Sequence, residues 1–388
     1  MSFDEIINRD CYNTTKFVER ESKFGRNDVI PLWIADMDFA CPNFLLEAIQ
    51  DRAKHPVFGS VAPPSSAISA QIDWLAQHQN YEVKQDWVLS THSVIAAVHM
   101  AIQTFTAVGD EVVIMTPVYQ GFAQSVANEK RTLLNWPLVN ENGKYLFAIE
   151  DLEKIVSTKT KMLLLCSPHN PVGRVWTADE LSEISAFCEA HGIIVVADEI
   201  HADLVYQPNT FRPYATINVA SANHSITIQG PAKSFNLTGL PLASVIISNP
   251  KLREPFAKTH QNFHPSHGDT FSQVAFETVY RQGYTWLHDL KTYLQKNQTL
   301  IRTELASQEI QFHGSEATYL AWLDCRHLGF NDESQLSSYF VNDLGLGLSP
   351  GQQFGPGGEG YMRLNFATPA KRLEKALNRM TKRPFVNK

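Results

Sequence analysis

The sequence predicts an α/β protein built on a mostly parallel sheet that helices cover on both faces. Three observations carry this expectation. Runs that are apolar almost throughout recur from residue 86 onward: Val112-Val-Ile-Met115, Lys161-Met-Leu-Leu-Leu-Cys166, Ile193-Ile-Val-Val-Ala197 and Ile226-Thr-Ile228. A strand without hydrophobic alternation is buried on both faces, which is its condition in a parallel sheet between helices. Segments of helical periodicity separate these runs, in the strand–helix rhythm of α/β folds. Polar residues follow the strand ends repeatedly, and the carboxyl edge of such a sheet is where sites form.

Composition bounds the rest. The chain has 388 residues, 44% of them hydrophobic and 19% charged. That is long for a single domain. The expected division is an N-terminal segment (1–45) packing with a small domain, a large α/β domain (46–269) and the small α+β domain itself (270–388). A net charge of −7, from 33 Lys+Arg against 40 Asp+Glu, argues against nucleic acid and anionic membranes as partners. The start, Met1-Ser-Phe-Asp-Glu-Ile-Ile7, lacks the basic and apolar regions of a signal peptide, and no apolar run approaches a membrane span. A cytoplasmic protein is expected. Its cysteines (Cys11, Cys41, Cys166, Cys188, Cys325) are odd in number and never in C-x-x-C spacing, as reduced, mostly buried thiols would be.

Taken in order, residues 1–40 show little helical periodicity and end in Pro31-Leu-Trp-Ile-Ala-Asp-Met-Asp-Phe39. Two carboxylates beside Trp33 and Met37 read either as a solvated turn or as a site wall. Pro42 then suits the first turn of a helix with Leu45, Leu46 and Ile49 as its apolar stripe. Phe58-Gly-Ser-Val-Ala-Pro-Pro64 is a stiff connector, and an amphipathic helix is expected over roughly 66–79. The α/β series starts with a strand at 87–89 and a helix from Thr91-His-Ser93 to about residue 105. Strands at 112–115, 133–136, 161–166, 193–197, 226–228 and 245–247 follow, with a helix over 151–156. Thr177-Ala-Asp-Glu180 is a capping box that opens a helix to about residue 190. Beyond 270 the texture is helical, over 270–282 and about 284–307. Short strands return at 319–323 and 362–366, and a helical tail starts near Pro369. The glycine-rich stretch 345–360 reads as a loop.

The chemistry gathers around one lysine. The apolar run 226–228 stops at Gly230-Pro231, Lys233 follows, and no other charge appears until Lys251. An ammonium group at the end of a buried strand is desolvated, so its pKa falls. A neutral amine can form a Schiff base with an aldehyde. Tyr119 follows strand 112–115, Asn170 follows 161–166, and Asp198 and His201 follow 193–197. Singly, each has a structural explanation: a core aromatic, a turn residue before Pro171, a helix cap, a satisfied histidine.

Together they match the needs of pyridoxal 5'-phosphate (PLP). It requires a lysine for its aldehyde, an acid for the pyridine nitrogen, a donor for the phenolic oxygen and an aromatic face for the ring. Free N–H groups at a helix start must cradle its phosphate. Lys233, Asp198, Asn170, Tyr119 and the turn containing Ser93, Val94 and Ile95 supply these in that order. Arg363, inside the last apolar strand, is a bidentate fork for a substrate α-carboxylate or, alternatively, a domain-bridging salt link. Trp33, Ala35 and Asn170 join it as candidate substrate contacts. Metal binding is the rival reading of Asp198-Glu-Ile-His201-Ala-Asp203 and of His264-Pro-Ser-His267, but neither brings a defined third ligand, and no metal is expected.

At these residues the chain resembles the class I/II aminotransferase superfamily of PLP enzymes and, within it, the MalY/PatB-type cystathionine β-lyases. The shared Asn170-Pro-Val-Gly173 belongs to the whole superfamily. The blocks Ala35-Asp-Met-Asp-Phe39, Asp198-Glu-Ile-His201 and Lys233-Ser-Phe-Asn236 mark the subgroup, and Thr116-Pro-Val-Tyr119 and Met362-Arg-Leu-Asn365 extend the match over nearly the whole chain. The resemblance implies a PLP-dependent aminotransferase-like fold with a seven-stranded sheet. It implies Lys233 as the PLP lysine and catalytic base, Asp198 at the pyridine nitrogen, and Asn170 and His201 near the phenolic oxygen. Tyr119 would stack on the ring, Arg363 would take the carboxylate, and the assembly would be a homodimer. Three positions near the phosphate depart from the pattern. Ser60 replaces a tyrosine that reaches the partner subunit's phosphate, Ala232 replaces a serine, and Gly230 stands three residues before the lysine. Ser93 also sits where glycine is common. The phosphate is then held more weakly, or by groups such as His92 or Ser93.

The implied activity is β-elimination from cystathionine or cysteine-like amino acids to a thiol, pyruvate and ammonia. An aminotransferase is the alternative, because Cα proton removal is common to both, and a catalytically degenerate PLP-fold protein is a third reading. A PLP-fold transcription regulator would need a DNA-binding domain ahead of the fold, and residues 1–30 are too short and not basic enough for one.

Overall fold

The computed structural model describes residues 3–263, 268–306, 309–330 and 332–382. Seven strands form its central sheet: β1 (Val88–Thr91), β2 (Glu111–Thr116), β3 (Thr132–Pro137), β4 (Thr160–Cys166), β5 (Ile194–Asp198), β6 (Ser225–Gln229) and β7 (Ala243–Ile246). Their order is β1-β7-β6-β5-β4-β2-β3. β7 runs antiparallel to both its neighbours, and every other pairing is parallel. The expected fold class and strand number are therefore observed.

Residue alternation explains the two covered faces. Val112 and Ile114 of β2 pack with Ala97, Val98 and Ile102 of the helix Val94–Phe105. Val113 and Met115 point the other way, into a cluster with Trp176 and with Leu181 and Ile184 of the helix Ala178–His191. Each fully buried aliphatic contributes roughly 1.5–3 kcal/mol relative to exposure. The helix Ala178–His191 opens with the expected capping box: Glu180 N–H donates to Thr177 Oγ1 at 3.2 Å, and Thr177 N–H donates to Glu180 Oε2 at 2.7 Å. Gly192 at φ +63° ends it, a left-handed residue where a side chain would be strained.

Beyond the sheet, Leu320–Asp324, Ser349–Pro350 and Tyr361–Asn365 form a three-stranded antiparallel sheet. The helices Thr270–Gln282, Tyr284–Glu304 and Ala370–Thr381 accompany it. The segment before residue 40 joins this part of the chain. Ile30–Pro31 pairs in parallel with Leu346–Gly347, and Leu32, Met37 and Phe39 share a core with Leu290, Leu294, Leu364 and Leu377.

Several local expectations change. Within 345–360 lie Leu346–Gly347, Ser349–Pro350 and a 3₁₀ turn at Gly351–Phe354, because partner strands satisfy a backbone that glycine leaves adaptable. Pro42 precedes the helix Asn43–Ala53 as its cap, and of the expected stripe Leu45 is buried while Leu46 is exposed. The helices Thr15–Val18, Arg20–Phe24, Gln120–Asn128 and Pro250–Asn262, and the hairpin of Val139–Glu141 with Lys144–Leu146, are absent from the expected elements. Pro250–Asn262 holds Pro255 inside it, against helix propensity. Tertiary contacts hold it: Arg253 donates to the Ile247 and Ser248 carbonyls, and His260 Nε2 lies 2.6 Å from Ser90 O. Among the described residues, no helix is long and apolar enough to cross a membrane.

Candidate active site

Strand register sets the site. Cys166, Asp198 and Ile228 lie side by side across β4, β5 and β6, so these strands end level with one another. The chain leaving each one passes over the same edge. Asn170 follows β4 by four residues, and Lys233 follows β6 by four; Tyr119 follows β2 by three. These turns and Trp33–Ala35 surround a cavity of about 490 Å³. Lys233, Asp198, Asn170, His201, Tyr119 and Arg363 all line it, as do Ser93, Val94, Ile95, Trp33 and Ala35. Every candidate site residue thus reaches one space.

Lys233 Nζ donates to Ala35 O at 2.7 Å, and Tyr319 Oη donates to the same carbonyl at 3.0 Å. Burial pushes the amine down to about 8, with Arg363 reinforcing that and Asp36 and Asp198 opposing it. Asp198 is 5% exposed. Burial raises its carboxyl to about 6, against the Ile200 N–H, which donates to Oδ1 at 3.1 Å, and against Lys233. Arg363 donates to Asn170 Oδ1 at 3.1 Å, to Trp33 O at 2.8 Å and to Ser349 Oγ at 3.3 Å. No carboxylate pairs with it among the described residues, and burial lowers it to about 10. The domain-bridging salt link is therefore absent there. Burial also holds His201 down to about 3, with Lys233 and Arg363 adding to it, so the ring is neutral. Its Nδ1 and Arg363 Nε are buried without a hydrogen-bond partner among the described residues. Tyr119 is raised by burial and by Asp198.

The helix Val94–Phe105 points its start into the cavity. Ser93 caps it, its Oγ accepting from Ala96 N–H at 3.2 Å. The N–H groups of Val94 and Ile95 belong to the first turn, which has no intrahelical acceptor, and the helix dipole favours an anion there. Of the three departing positions, Ala232 lines the cavity and exposed Ser60 does not. At Gly230 an added Cβ would meet Ala243 Cα at 3.3 Å, a tight contact against β7.

Some residues that the sequence shows only as members of a larger block brace the site. Asn236, at φ +59°, accepts from Met37 N–H and donates to the Met37 and Phe39 carbonyls, tying the lysine turn to the N-terminal segment. Asn365 donates to the Ile34 and Asp36 carbonyls from the other side. Asp203 accepts from Trp74, Gln79 and Ser234, the residue after the lysine. It therefore serves as a brace rather than a metal ligand beside Asp198 and His201. Among the described residues no group of three or more His, Cys, Asp or Glu is placed to hold a metal. His264 and His267 lie outside the described residues. Cys166 also lines the cavity, but burial pushes its thiol well up, and it is bonded to Pro168 O and Asn170 N–H. It is no nucleophile.

The site fits PLP on this structure's own observations. The cavity brings together an amine of lowered pKa, a buried carboxyl, an amide, an aromatic face and a helix N-terminus. A buried guanidinium without a carboxylate adds a place for a second anion.

Comparison with known proteins places the fold in a class. The family model for aminotransferase class I and II matches residues 27–380, and the chain belongs to that family. Within it, the chain is 34% identical over 385 residues to cystathionine beta-lyase PatB of Bacillus subtilis, covering 98% of this chain and 99% of that protein. Protein MalY of Escherichia coli is 32% identical, covering 97% and 96%. The crystal structure of cystalysin from Treponema denticola, which contains a pyridoxal 5'-phosphate cofactor, superposes with a TM-score of 0.95 at 31% identity over 98% of both chains. The resemblance read from the sequence motifs is borne out.

Proposed function

We propose that this protein is a PLP-dependent C–S β-lyase. It would act on cystathionine or cysteine-like amino acids and release a thiol, pyruvate and ammonia. The observation that carries the reading is the presence of Lys233 and Asp198 in one buried cavity, the amine lowered to about 8 and the carboxyl at the end of β5 raised to about 6. Likeness to the cystathionine beta-lyase PatB supports the choice of leaving group.

Lys233 would hold the cofactor, with Asp198 at its ring nitrogen, Asn170 and His201 near its phenolic oxygen, Tyr119 over its face and Ser93, Val94 and Ile95 at its phosphate. When bound, PLP supplies an electron sink for charge developing at the substrate Cα. Arg363 orients the substrate through its α-carboxylate, a bidentate contact. Lys233 Nζ, lowered to about 8 and so about half neutral near that pH, takes the Cα proton. The electron pair left at Cα expels the thiolate as the Cβ–S bond breaks, and the thiolate takes up a proton. The released 2-aminoacrylate reacts with water to give pyruvate and ammonia. The enclosing segment 33–37, held by Asn236 and Asn365, limits water at the amine. By the same resemblance the working assembly would be a homodimer; exposed Val57 and Phe58, beside Ser60, are apolar surface such an assembly would use.

Transamination would use the same proton abstraction, so one experiment separates the two. The protein is supplied with PLP and L-cystathionine but no keto acid, and thiol and pyruvate are followed together. Continuous equimolar release establishes the lyase. One equivalent of keto acid per site, with the cofactor left as pyridoxamine phosphate, makes it an aminotransferase. No release at all from a colourless protein removes the functional reading.

A further inference from the structure

Arg363 accounts for one carboxylate of an amino acid, and the cavity carries another cation that this assignment leaves unused. Lys23 lines the cavity on its exposed side. Its Nζ lies 5.7 Å from the centre of the Trp33 ring, and it has no carboxylate partner among the described residues. Trp33 itself is fixed at both ends: its indole N–H donates to Lys16 O at 3.1 Å, and its carbonyl accepts from Arg363 at 2.8 Å. Phe24, next to Lys23, packs edge-on against its ring at 5.7 Å. One tryptophan therefore spaces the two cations, with Arg363 buried at its backbone and Lys23 at its ring. The charged and imidazole side chains lining this space among the described residues are Lys23, His92, Asp198, His201, Lys233 and Arg363. Asp198 is the one carboxylate, and it lies on the sheet side, in the depth of the cavity.

We infer that Lys23 is a specificity-determining residue that receives a second anionic group, carried at the far end of the substrate's side chain. The inference rests on the proposed amino-acid chemistry at Lys233 and deepens it. The preferred substrate is an amino acid whose sulfur-linked leaving group ends in a carboxylate. With Arg363 on the α-carboxylate, the leaving group runs along the Trp33 wall toward the opening and brings its distal charge to Lys23. The ammonium is exposed, so the attraction is screened by water and salt.

The test compares S-(2-carboxyethyl)-L-cysteine with S-propyl-L-cysteine, of similar length and differing in charge. Binding to the PLP-loaded protein is titrated by the cofactor's absorbance, and turnover is measured separately as thiol and pyruvate. An exposed ion pair is worth up to about 1 kcal/mol, so wild type should favour the anionic compound by roughly 2- to 5-fold in Kd. Lys23→Met should abolish that ratio, Lys23→Glu should invert it, and Lys23→Arg should retain it. Added salt should draw the ratio toward one in wild type and in Lys23→Glu, from opposite sides, and leave Lys23→Met unchanged. A ratio that is the same in wild type, Lys23→Met and Lys23→Glu overturns the inference. Failure of turnover with an intact, Lys23-dependent Kd ratio would instead remove the lyase reading and leave the second-anion site standing.

Discussion

Two regions of this molecule bury charge, and they treat it in opposite ways. In the N-terminal segment, Asp38 is 2% exposed and meets Lys16 Nζ at 3.0 Å, Arg9 at 2.7 Å and Arg372 at 2.9 Å, with Thr368 donating to it as well. Burial pushes its carboxyl up, but Lys16, Arg372 and Arg9 outweigh that and hold it below its ordinary value. Around the cavity the buried groups are left short of partners. Asp198 is pushed up and Lys233 and Arg363 are pushed down, each toward neutrality, with burial the largest cause. A saturated cluster fixes a segment in place. An unsaturated one keeps its groups ready for a cofactor and a substrate that bring the missing charges. The first serves the second, because Arg9 and Lys16 also bind Asp36, which adjoins the Ala35 carbonyl that holds Lys233.

The sharpest way to break this contrast is to remove the central amine. Lys233→Ala should cut turnover by at least about 1,000-fold while the protein still binds PLP without a Schiff base. Near-normal turnover in a steady-state assay would end the proposed role. In the saturated cluster, Asp38→Ala removes the buried carboxylate that Lys16, Arg9 and Arg372 share, leaving Asp36 to Lys16 and Arg9, and should cost about 3–5 kcal/mol in a denaturant titration. A loss below about 1 kcal/mol would mean that the cluster does not carry the segment.

Asp198→Asn tests the opposite expectation. A carboxyl raised to about 6 in the folded protein, from an ordinary 3.8, favours its neutral form there. Its contribution to stability is therefore complete at low pH and is lost as pH rises from about 4 to 6. Above that window the ionised group weighs against folding. The cofactor-free variant should thus gain about 1–3 kcal/mol at pH 8 and nothing at pH 4, while turnover is lost. A loss of stability at both pH values would show that Asp198 is paired after all. The smallest effect concerns loading. An amine lowered to about 8 gains neutral fraction as pH rises, so the rate of PLP attachment to the cofactor-free protein should climb about tenfold between pH 7 and 9 and then level off. A plateau reached only above pH 10 would mean an ordinary lysine.

Much of the site could be read from residues alone because strand ends are conspicuous. A buried parallel strand must stay apolar on both faces, so Asp198 and Lys233 stand out where β5 and β6 stop. Asn170 and Tyr119 mark the ends of β4 and β2 in the same way. Ala35 stands in a conspicuous run, but what it contributes is a backbone carbonyl, which any residue would supply. Asp203 is legible only as one acid in a cluster that also suggests metal; Trp74, Gln79 and Ser234 reveal it as a brace.

The sequence by itself determined the fold class, the strands of the central sheet and the candidate groups at their ends, because burial on two faces is a local demand on residue type. The tertiary structure alone decided how those groups are charged and braced. Strand register levels Cys166, Asp198 and Ile228. The pairing of Ile30–Pro31 with Leu346–Gly347 carries Trp33 and Ala35 to the cavity. The three-stranded sheet sets Arg363 opposite Trp322 and Ser349. Desolvation and hydrogen bonding depend on which distant segments meet, and no local pattern encodes that meeting.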